Sequence, residues 1–275
     1  MRHGEPLEGE KTVQVVQRIA RVLGAFGKQT SLGITELAHA TGLPKSTTHR
    51  LVNALVNEGL LLQQPHSHKY TLSLRIAALS ASILSSHLVR KVARPKLLEL
   101  HELVHETIQL AVLEGPHAVI IDSQEPYFSI RTSTTPGLHL PAYAVAIGKV
   151  LLAYQEDMGL SRLAHILPLQ AYTAHTITSL DLLMEELQQI RLLGYAISEG
   201  ELEEKIEGIA APVFSTGGII VAALSISGPD ERCHERRAEL MAAVLKTARQ
   251  ISHLLQAQIF EQETGFQNEN GKDTD

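Results

Sequence analysis

The sequence predicts an α+β protein of two domains, and three observations support this fold class. Its length of 275 residues is typical of two domains, because one domain commonly holds about 100–200 residues. Hydrophobic residues make up 44% of the chain, which is enough apolar material for a core in each domain. Helical and strand-like segments interleave with mixed spacing, a pattern typical of helices packed against a central antiparallel sheet.

The first 75 residues predict three helices followed by a hairpin. Apolar residues recur at helical spacing, and glycine or proline separates the helical segments. The predicted elements are helices over 12–26, 34–41 and 44–58 and strands over 60–63 and 69–72. This order is the outline of a winged helix-turn-helix, which we place at residues 10–73.

The remaining residues predict a linker helix and an α+β domain. Residues 74–90 form the linker, and Pro95 predicts a kink or break in the helical pattern near Arg94. The second domain spans residues 91–260, and the polar residues 261–275 predict a disordered tail. The elements predicted after the linker are strands over 110–113, 118–122, 129–132, 195–198, 206–212 and 219–227 and helices over 89–107, 144–155, 160–166, 180–193 and 235–260.

Composition argues against several classes of protein. The longest uninterrupted apolar run, residues 219–224, is far shorter than the about 20 residues of a membrane span, so we expect no membrane partner. The polar N-terminus lacks the apolar segment of a secretory signal. A single cysteine, Cys233, excludes an internal disulfide and a cysteine-based zinc cluster. We therefore expect a cytoplasmic protein without a cofactor or a metal site.

Charge is divided unevenly along the chain. Residues 11–75 contain eight Lys and Arg and two Glu, a net charge of +6, whereas the whole chain carries −6. The remainder therefore carries −12. A small basic domain joined to a larger acidic one is typical of a DNA-binding head on a body that does not bind DNA. Small domains also carry such charges by chance, so charge alone does not decide.

The third helix carries the most specific pattern. Leu51, Val52, Leu55 and Val56 share one face, and a polar stripe lies opposite. Side chains of the kinds found in that stripe bind base edges and phosphates. The Gly-Leu-Pro turn before the helix favours a helix-turn-helix over an ordinary solvated face, and we predict contacts to double-stranded promoter DNA. The predicted contacts are Lys45, Ser46, Thr47, His49, Arg50 and Asn53, which form the polar stripe, with His68 and Lys69 in the hairpin.

An alternative prediction comes from His101, Glu102 and His105, which match the H-E-x-x-H pattern of zinc peptidases. On a helix the two histidines lie one turn apart, and the glutamate can act as a base in a metal-dependent hydrolase. A catalytic zinc site needs a third protein ligand, and no Glu or His follows at a recognisable offset. The pattern also arises by chance in a chain with 14 histidines, so we do not predict an enzyme. A small-molecule sensor whose head binds protein is a third possibility.

Several motifs in this order resemble the isocitrate lyase regulator (IclR) family of bacterial transcription factors. The helix-turn-helix match is carried by Leu37-Ala38, the segment Thr41 to Thr47, and His49-Arg50-Leu51. The C-terminal matches are Gly148-Lys149, Leu151 to Ala153, Ile190-Arg191, Gly194 to Ala196, Ile209 to Val213 and Leu224 to Pro229. The resemblance covers residues 12–255. It implies a linker helix, a GAF-like effector domain, a homodimer or dimer of dimers, and control of a promoter by a small metabolite, often a carboxylic or aromatic acid.

The resemblance also implies an effector pocket. Carried over by position, its lining is Leu140, Ala146, Ile147, Ser198, Gly208, Ser225 and Ser227. Many members have an acidic residue in place of Ser198 and a cysteine in place of Gly208, so we expect a larger or more apolar effector than a two- or three-carbon keto acid. Ser225 and Ser227 share one face of a strand, where they either bind a carboxylate or hydroxyl or point at solvent or backbone. Arg131 is either a further contact to an anionic effector or a surface arginine.

Overall fold

The computed structural model describes residues 8–27, 29–76, 78, 87–155 and 166–270. The chain divides into two compact units, Met1–Ser86 and His87–Asp275. Most of the predicted linker helix lies outside the described residues, as does nearly all of the predicted helix over 160–166. No helix in the described ranges is long and apolar enough to cross a membrane.

The first unit has the predicted order of three helices and a hairpin. Its elements are α1 (Glu8–Gly24), α2 (Ile34–Thr41), α3 (Lys45–Asn57), β1 (Leu61–Gln63) and β2 (Tyr70–Leu72). The two strands pair antiparallel, with Leu61 opposite Leu72. Buried side chains from every helix and from the hairpin form one core, which includes Val22, Leu37 and Val52. The predicted winged helix-turn-helix is confirmed.

The turn between α2 and α3 depends on one glycine. Gly42 ends α2 with a φ of 69°, in the left-handed region, and its N–H bonds to the carbonyl of Ala38. A side chain in this conformation is strained, which is why glycine commonly ends helices. Pro44 then precedes α3, and its carbonyl accepts the N–H of Thr48 at 2.9 Å. Three residues, 42–44, therefore connect the two helices, and they determine where α3 begins.

The second unit is built on an antiparallel sheet. Its elements are α4 (Leu88–Val104), β3 (Thr107–Glu114), β4 (His117–Gln124), β5 (His139–Pro141), α5 (Ala146–Ala153), α6 (Leu180–Leu193), β6 (Ala196–Glu199), β7 (Ile206–Phe214), β8 (Ile220–Pro229), α7 (Asp230–Glu235) and α8 (Arg237–Asn270). The described strands form one sheet in the order β5-β4-β3-β8-β7-β6. Each neighbouring pair is antiparallel. The predicted α+β class is confirmed.

Alternation along the strands separates two packed faces. Ala111, Ala210 and Ala223 join the buried cluster formed with α5 and α6. Because side chains alternate along a strand, neighbours such as Leu110 and Leu224, which are fully buried, face the other side. There α4 and α8 pack against the sheet and against each other. The small residues on the first face let α5 lie close to the sheet.

Of the kink or break predicted near Arg94, the break is wrong. The helix α4 runs through Pro95 without interruption from Leu88 to Val104. A proline removes one helical hydrogen bond and crowds the preceding turn. Buried apolar side chains on both sides of Pro95, among them Ala93 and Leu97, hold the helix against the sheet in spite of that loss.

Two further predictions about elements differ from the structure. The strand predicted over 129–132 is wrong, because these residues are irregular and β5 is the strand that lies beside β4 at that edge of the sheet. The last helix was expected over 235–260, but the structure begins a short helix at Asp230, interrupts it at Arg236 and continues α8 to Asn270. The helix thus extends into the segment predicted as a disordered tail.

Candidate functional site

The polar stripe of α3 lies on the surface of the first unit. Its members Lys45, Ser46, His49, Arg50 and Asn53 are exposed, and Thr47 is half-buried. The opposite face is fixed by the buried side chains of Leu51, Val52 and Leu55. The helix therefore presents its polar stripe outward from a rigid support.

The N-terminus of α3 adds backbone donors to this surface. The first N–H groups of a helix have no acceptor within it, and the helix dipole makes them attractive to an anion such as phosphate. Here these groups belong to Lys45, Ser46 and Thr47. Thr48 is different, because it is buried and its hydroxyl donates to the carbonyl of Pro44 at 3.1 Å. The stripe thus combines a cation, hydroxyls and free amides at one helix end.

The two hairpin residues predicted to contact DNA, His68 and Lys69, differ in their surroundings. His68 is exposed and has a φ of 52° in the connection between β1 and β2. The ammonium of Lys69 lies 3.0 Å from Oε1 of Glu36 in α2. The pKa of Glu36 is lowered, first by the N–H of Gly33 and then by Lys69. A phosphate therefore competes with Glu36 for the donors of Lys69.

Seven of the eight predicted effector residues lie around one cavity in the second unit. The cavity has a volume of about 100 Å³ and is called the sheet cavity below. These seven are Leu140, Ala146, Ile147, Ser198, Gly208, Ser225 and Ser227. Arg131 is not among the lining residues, because its guanidinium binds Oε2 of Glu125 at 2.8 Å and the carbonyl of Phe128 at 3.0 Å.

The floor of the sheet cavity is a row of small residues across three strands. Ser198 on β6 lies opposite Gly208 on β7, which lies opposite Ser227 on β8. A Cβ atom on Gly208 would lie 3.0 Å from Oγ of Ser198, so glycine preserves the space. Oγ of Ser198 accepts the N–H of Ala146 at 3.1 Å. This bond attaches the start of α5 to the floor.

Several polar atoms of the lining lack a hydrogen-bond partner. Within the described part of the chain, no partner is found for Oγ of Ser227, Oγ1 of Thr132 or Oε2 of Glu201, and all three atoms are buried. Ser225 differs, because its hydroxyl donates to the side chain of Gln109 at 3.1 Å. Buried polar atoms are nearly always paired in proteins. The unpaired ones indicate a place for a polar ligand or for water.

Sequence reasoning missed more than half of the lining. The missed residues are Gln109, Thr132, Ser133, Leu138, Ala144, Val145, Glu201, Leu202, Glu203 and Ile206. Gln109 could have been predicted if the pairing of the strands had been known, since it lies opposite Ser225 in the sheet register. Most of the others come from connections between elements, whose paths no periodic pattern reports.

A buried ionic cluster lies beside the cavity. The side chain of Lys149 in α5 is fully buried, and its ammonium lies 2.7 Å from Oε1 of Glu186 and 2.5 Å from Oε1 of Glu201. Burial raises the pKa of Glu201, and this effect outweighs the opposing effect of Lys149. One ammonium thus faces two carboxylates, one of which lines the cavity.

The two histidines of the H-E-x-x-H pattern lie in different environments. His101 is buried, with Nδ1 3.3 Å from the carbonyl of Glu106. His105 ends α4 with a φ of 56° and is exposed, so the helical geometry that would bring the two rings together is lost. Among the described residues, no three His, Cys, Asp or Glu side chains form a group able to hold a metal ion.

Comparison with known proteins agrees with this architecture. The IclR helix-turn-helix domain matches residues 15–65, and the bacterial transcriptional regulator IclR C-terminal domain matches residues 81–253. The HTH-type transcriptional regulator KdgR of Escherichia coli is 34% identical over 242 residues, which cover 88% of this chain and 92% of that protein. The transcriptional repressor IclR of Escherichia coli is 33% identical over 225 residues, covering 81% and 82% of the two chains.

A solved structure shows the same fold with a ligand. An IclR homolog from Microbacterium hydrocarbonoxydans complexed with 4-hydroxybenzoate matches with a TM-score of 0.73 and 26% identity, covering 88% of this chain and 98% of that one. Both relatives are regulators of transcription, so they do not support the hydrolase alternative. The chain belongs to the IclR family of bacterial DNA-binding transcriptional regulators.

Proposed function

We propose that this regulator reads promoter DNA with the polar stripe of α3 and that a small carboxylic acid in the sheet cavity controls its affinity for DNA. The observation that carries the effector part is the row of Ser198, Gly208 and Ser227 beneath the start of α5, with the hydroxyl of Ser227 unpartnered among the described residues. The row leaves space and polar contacts where close packing is otherwise the rule.

The start of α5 supplies the anchor for a carboxylate. The N–H of Ala146 is occupied by Ser198, whereas the N–H groups of Ile147 and Gly148 belong to the first turn and have no acceptor within the helix. Ile147 lines the cavity. A carboxylate there meets backbone donors and the positive end of the helix dipole. The ligand of the relative described above, 4-hydroxybenzoate, is an acid of this class.

The size of the cavity limits the size of the effector. Pockets for drug-sized ligands measure roughly 300–1,000 Å³, whereas the sheet cavity measures about 100 Å³. This volume favours a compact acid with one ring or a short chain. The expectation of an effector larger than a two- or three-carbon keto acid stays a prediction. An acid with a single aromatic ring is larger than such a keto acid and is still compact.

Specific binding requires two heads on one operator. One recognition helix reads only a few base pairs, and dimers place two such helices about one helical turn apart. We therefore propose a homodimer or dimer of dimers that acts in the cytoplasm. The effector changes the affinity by stabilising one arrangement of the heads over another.

Replacing Arg50 tests the DNA-binding surface. A duplex is selected from a random library with the native protein, and binding is measured by fluorescence anisotropy. We expect Arg50→Ala to weaken specific binding by about 1–3 kcal/mol, the usual contribution of a base-reading arginine. Lys91→Ala is the control, since Lys91 is exposed in α4 and its loss changes the net charge equally. Equal affinities for Arg50→Ala and the native protein would contradict the role of Arg50.

Calorimetry with the full chain tests the effector. We expect 4-hydroxybenzoate or another compact acid to bind with one site per chain and to shift the midpoint of DNA binding. Ser227→Ala should weaken binding of the acid, and it should leave the affinity for DNA unchanged when no acid is present. If no compact acid binds or moves the DNA midpoint, the effector part of the proposal is wrong.

A further inference from the structure

We propose that Glu201 selects effectors that carry a hydroxyl group in addition to their carboxylate, so that the natural ligand is a hydroxylated carboxylic acid. This inference rests on the proposed function, because it concerns the ligand of the same cavity. It adds a specificity-determining residue that the family resemblance did not indicate.

The first argument is the state of the Glu201 side chain. The residue lines the sheet cavity and is only 8% exposed. Its Oε1 accepts a hydrogen bond from Lys149 at 2.5 Å, whereas its Oε2 is buried without a donor among the described residues. A buried carboxylate oxygen loses its hydrogen bonds to water, and this loss is compensated only when another group donates a hydrogen bond to it. A ligand in the cavity is in place to supply that donor.

The second argument concerns the chemistry of the donor. A carboxylate accepts hydrogen bonds only, so Oε2 has no favourable contact with the carboxylate of an effector. An ammonium could also donate to Oε2, but its charge would lose the solvation of water on entering the cavity, and burial of a charge is costly. A hydroxyl is a neutral donor and meets both conditions. Glu201 therefore distinguishes a hydroxylated acid from one without a hydroxyl.

The third argument is the position of the other unpaired groups. Oγ1 of Thr132 and Oγ of Ser227 both donate and accept, so either serves the carboxylate or the hydroxyl of the ligand. They stabilise many polar ligands equally. The discrimination against acids without a hydroxyl then depends on Glu201, the only one of these three groups that cannot donate.

The test compares acids that differ by one hydroxyl. Calorimetry with the full chain measures 4-hydroxybenzoate against benzoate and 3-hydroxypropionate against propionate. We expect the hydroxylated member of at least one pair to bind about 10-fold or more tightly than its partner, which is the usual effect of one hydrogen bond to a charged group. Glu201→Gln should reduce this preference to about threefold or less, because the acceptor loses its charge. Glu204→Gln should leave it unchanged, since Glu204 lies on the same connection but is exposed and does not line the cavity.

The outcomes separate this inference from the proposed function. Equal binding of both members of each pair, or a preference that survives in Glu201→Gln, would overturn the inference and leave the effector proposal intact. Tighter binding of 4-(aminomethyl)benzoate than of 4-hydroxybenzoate would also overturn it, because the selected donor would then be an ammonium. If no acid binds, both proposals are overturned. Should Glu201→Gln fail to fold, Glu201→Asp keeps the charge, withdraws the carboxylate by one methylene and is expected to lose the preference too.

Discussion

Removing the ammonium of Lys149 should destabilise the second unit strongly. The side chain of Lys149 is fully buried, and its two partners, Glu186 and Glu201, are 30% and 9% exposed. In Lys149→Met the flexible thioether side chain fills most of the volume, so little of the effect comes from a cavity. The carboxylate of Glu201 then lies buried without a cation. Loss of one partner of a buried ion pair costs about 3–5 kcal/mol, a large part of the 5–15 kcal/mol that typically stabilises a folded protein.

Urea unfolding followed by circular dichroism measures this effect on the full chain. Lys96→Met is the matched control, because the ion pair between Lys96 and Glu99 has a partner that is 62% exposed, and such pairs contribute about 0–1 kcal/mol. The double variant Lys149→Met/Glu201→Gln should regain part of the loss, since the more buried of the two carboxylates is then neutral and only Glu186, which is 30% exposed, still faces the vacated position. A loss below about 1 kcal/mol in Lys149→Met, equal to that of Lys96→Met, would refute the argument that this cluster needs its cation.

Three other perturbations follow from the geometry. In Gly208→Val the Cβ atom would lie 3.0 Å from Oγ of Ser198, and we expect calorimetry to show at least a tenfold loss of acid binding with the DNA midpoint unchanged, whereas unchanged acid binding would place the ligand elsewhere. Gly42→Ala puts a side chain at a φ of 69° and should lower the free energy of unfolding of the first unit by about 1–2 kcal/mol, while Gly27→Ala, where a Cβ meets nothing within 4 Å, should cost less. Burial raises the pKa of Glu201, so its contribution to stability is fully present below its ordinary pKa and is lost as pH rises through the folded value. Relative to the native protein, Glu201→Gln should therefore become more stable as pH rises above about 4.5, and parallel pH profiles of the two proteins would contradict the raised pKa.

The first unit could be predicted closely because its signals are local. The helix α2 was predicted at its observed bounds, since the left-handed Gly42 and the turn to Pro44 both act within a few residues of the helix end. The face of α3 was predicted equally well, because a 3.6-residue period separates Leu51 and Leu55 from Arg50 without any knowledge of tertiary contacts. Local chemistry of this kind leaves few alternatives.

The second unit depends on distant partners and was predicted less completely. Residues 129–132 alternate like a strand, yet no strand pairs with them in the described sheet. The loop is held instead by Glu125, which binds Arg131, Ser133 and the N–H of Thr134. Strand pairing of this kind is decided by register and edges, which a single segment does not report. For the same reason the family motifs located Ser225 and Ser227 but not Thr132 or Glu201.

Under the proposed function, the cavity has a thermodynamic consequence for regulation. Ser227, Thr132 and Glu201 contribute buried atoms that have no partner in the described part of the chain, and each such atom costs about 1–3 kcal/mol unless water or a ligand reaches it. A ligand that forms hydrogen bonds with these atoms regains that free energy only in a conformation that brings all three residues together around the cavity. The free energy by which the ligand stabilises that conformation grows as RT ln(1 + [L]/Kd). The atoms that destabilise the protein without a ligand therefore also determine how strongly a bound ligand favours one conformation of the regulator.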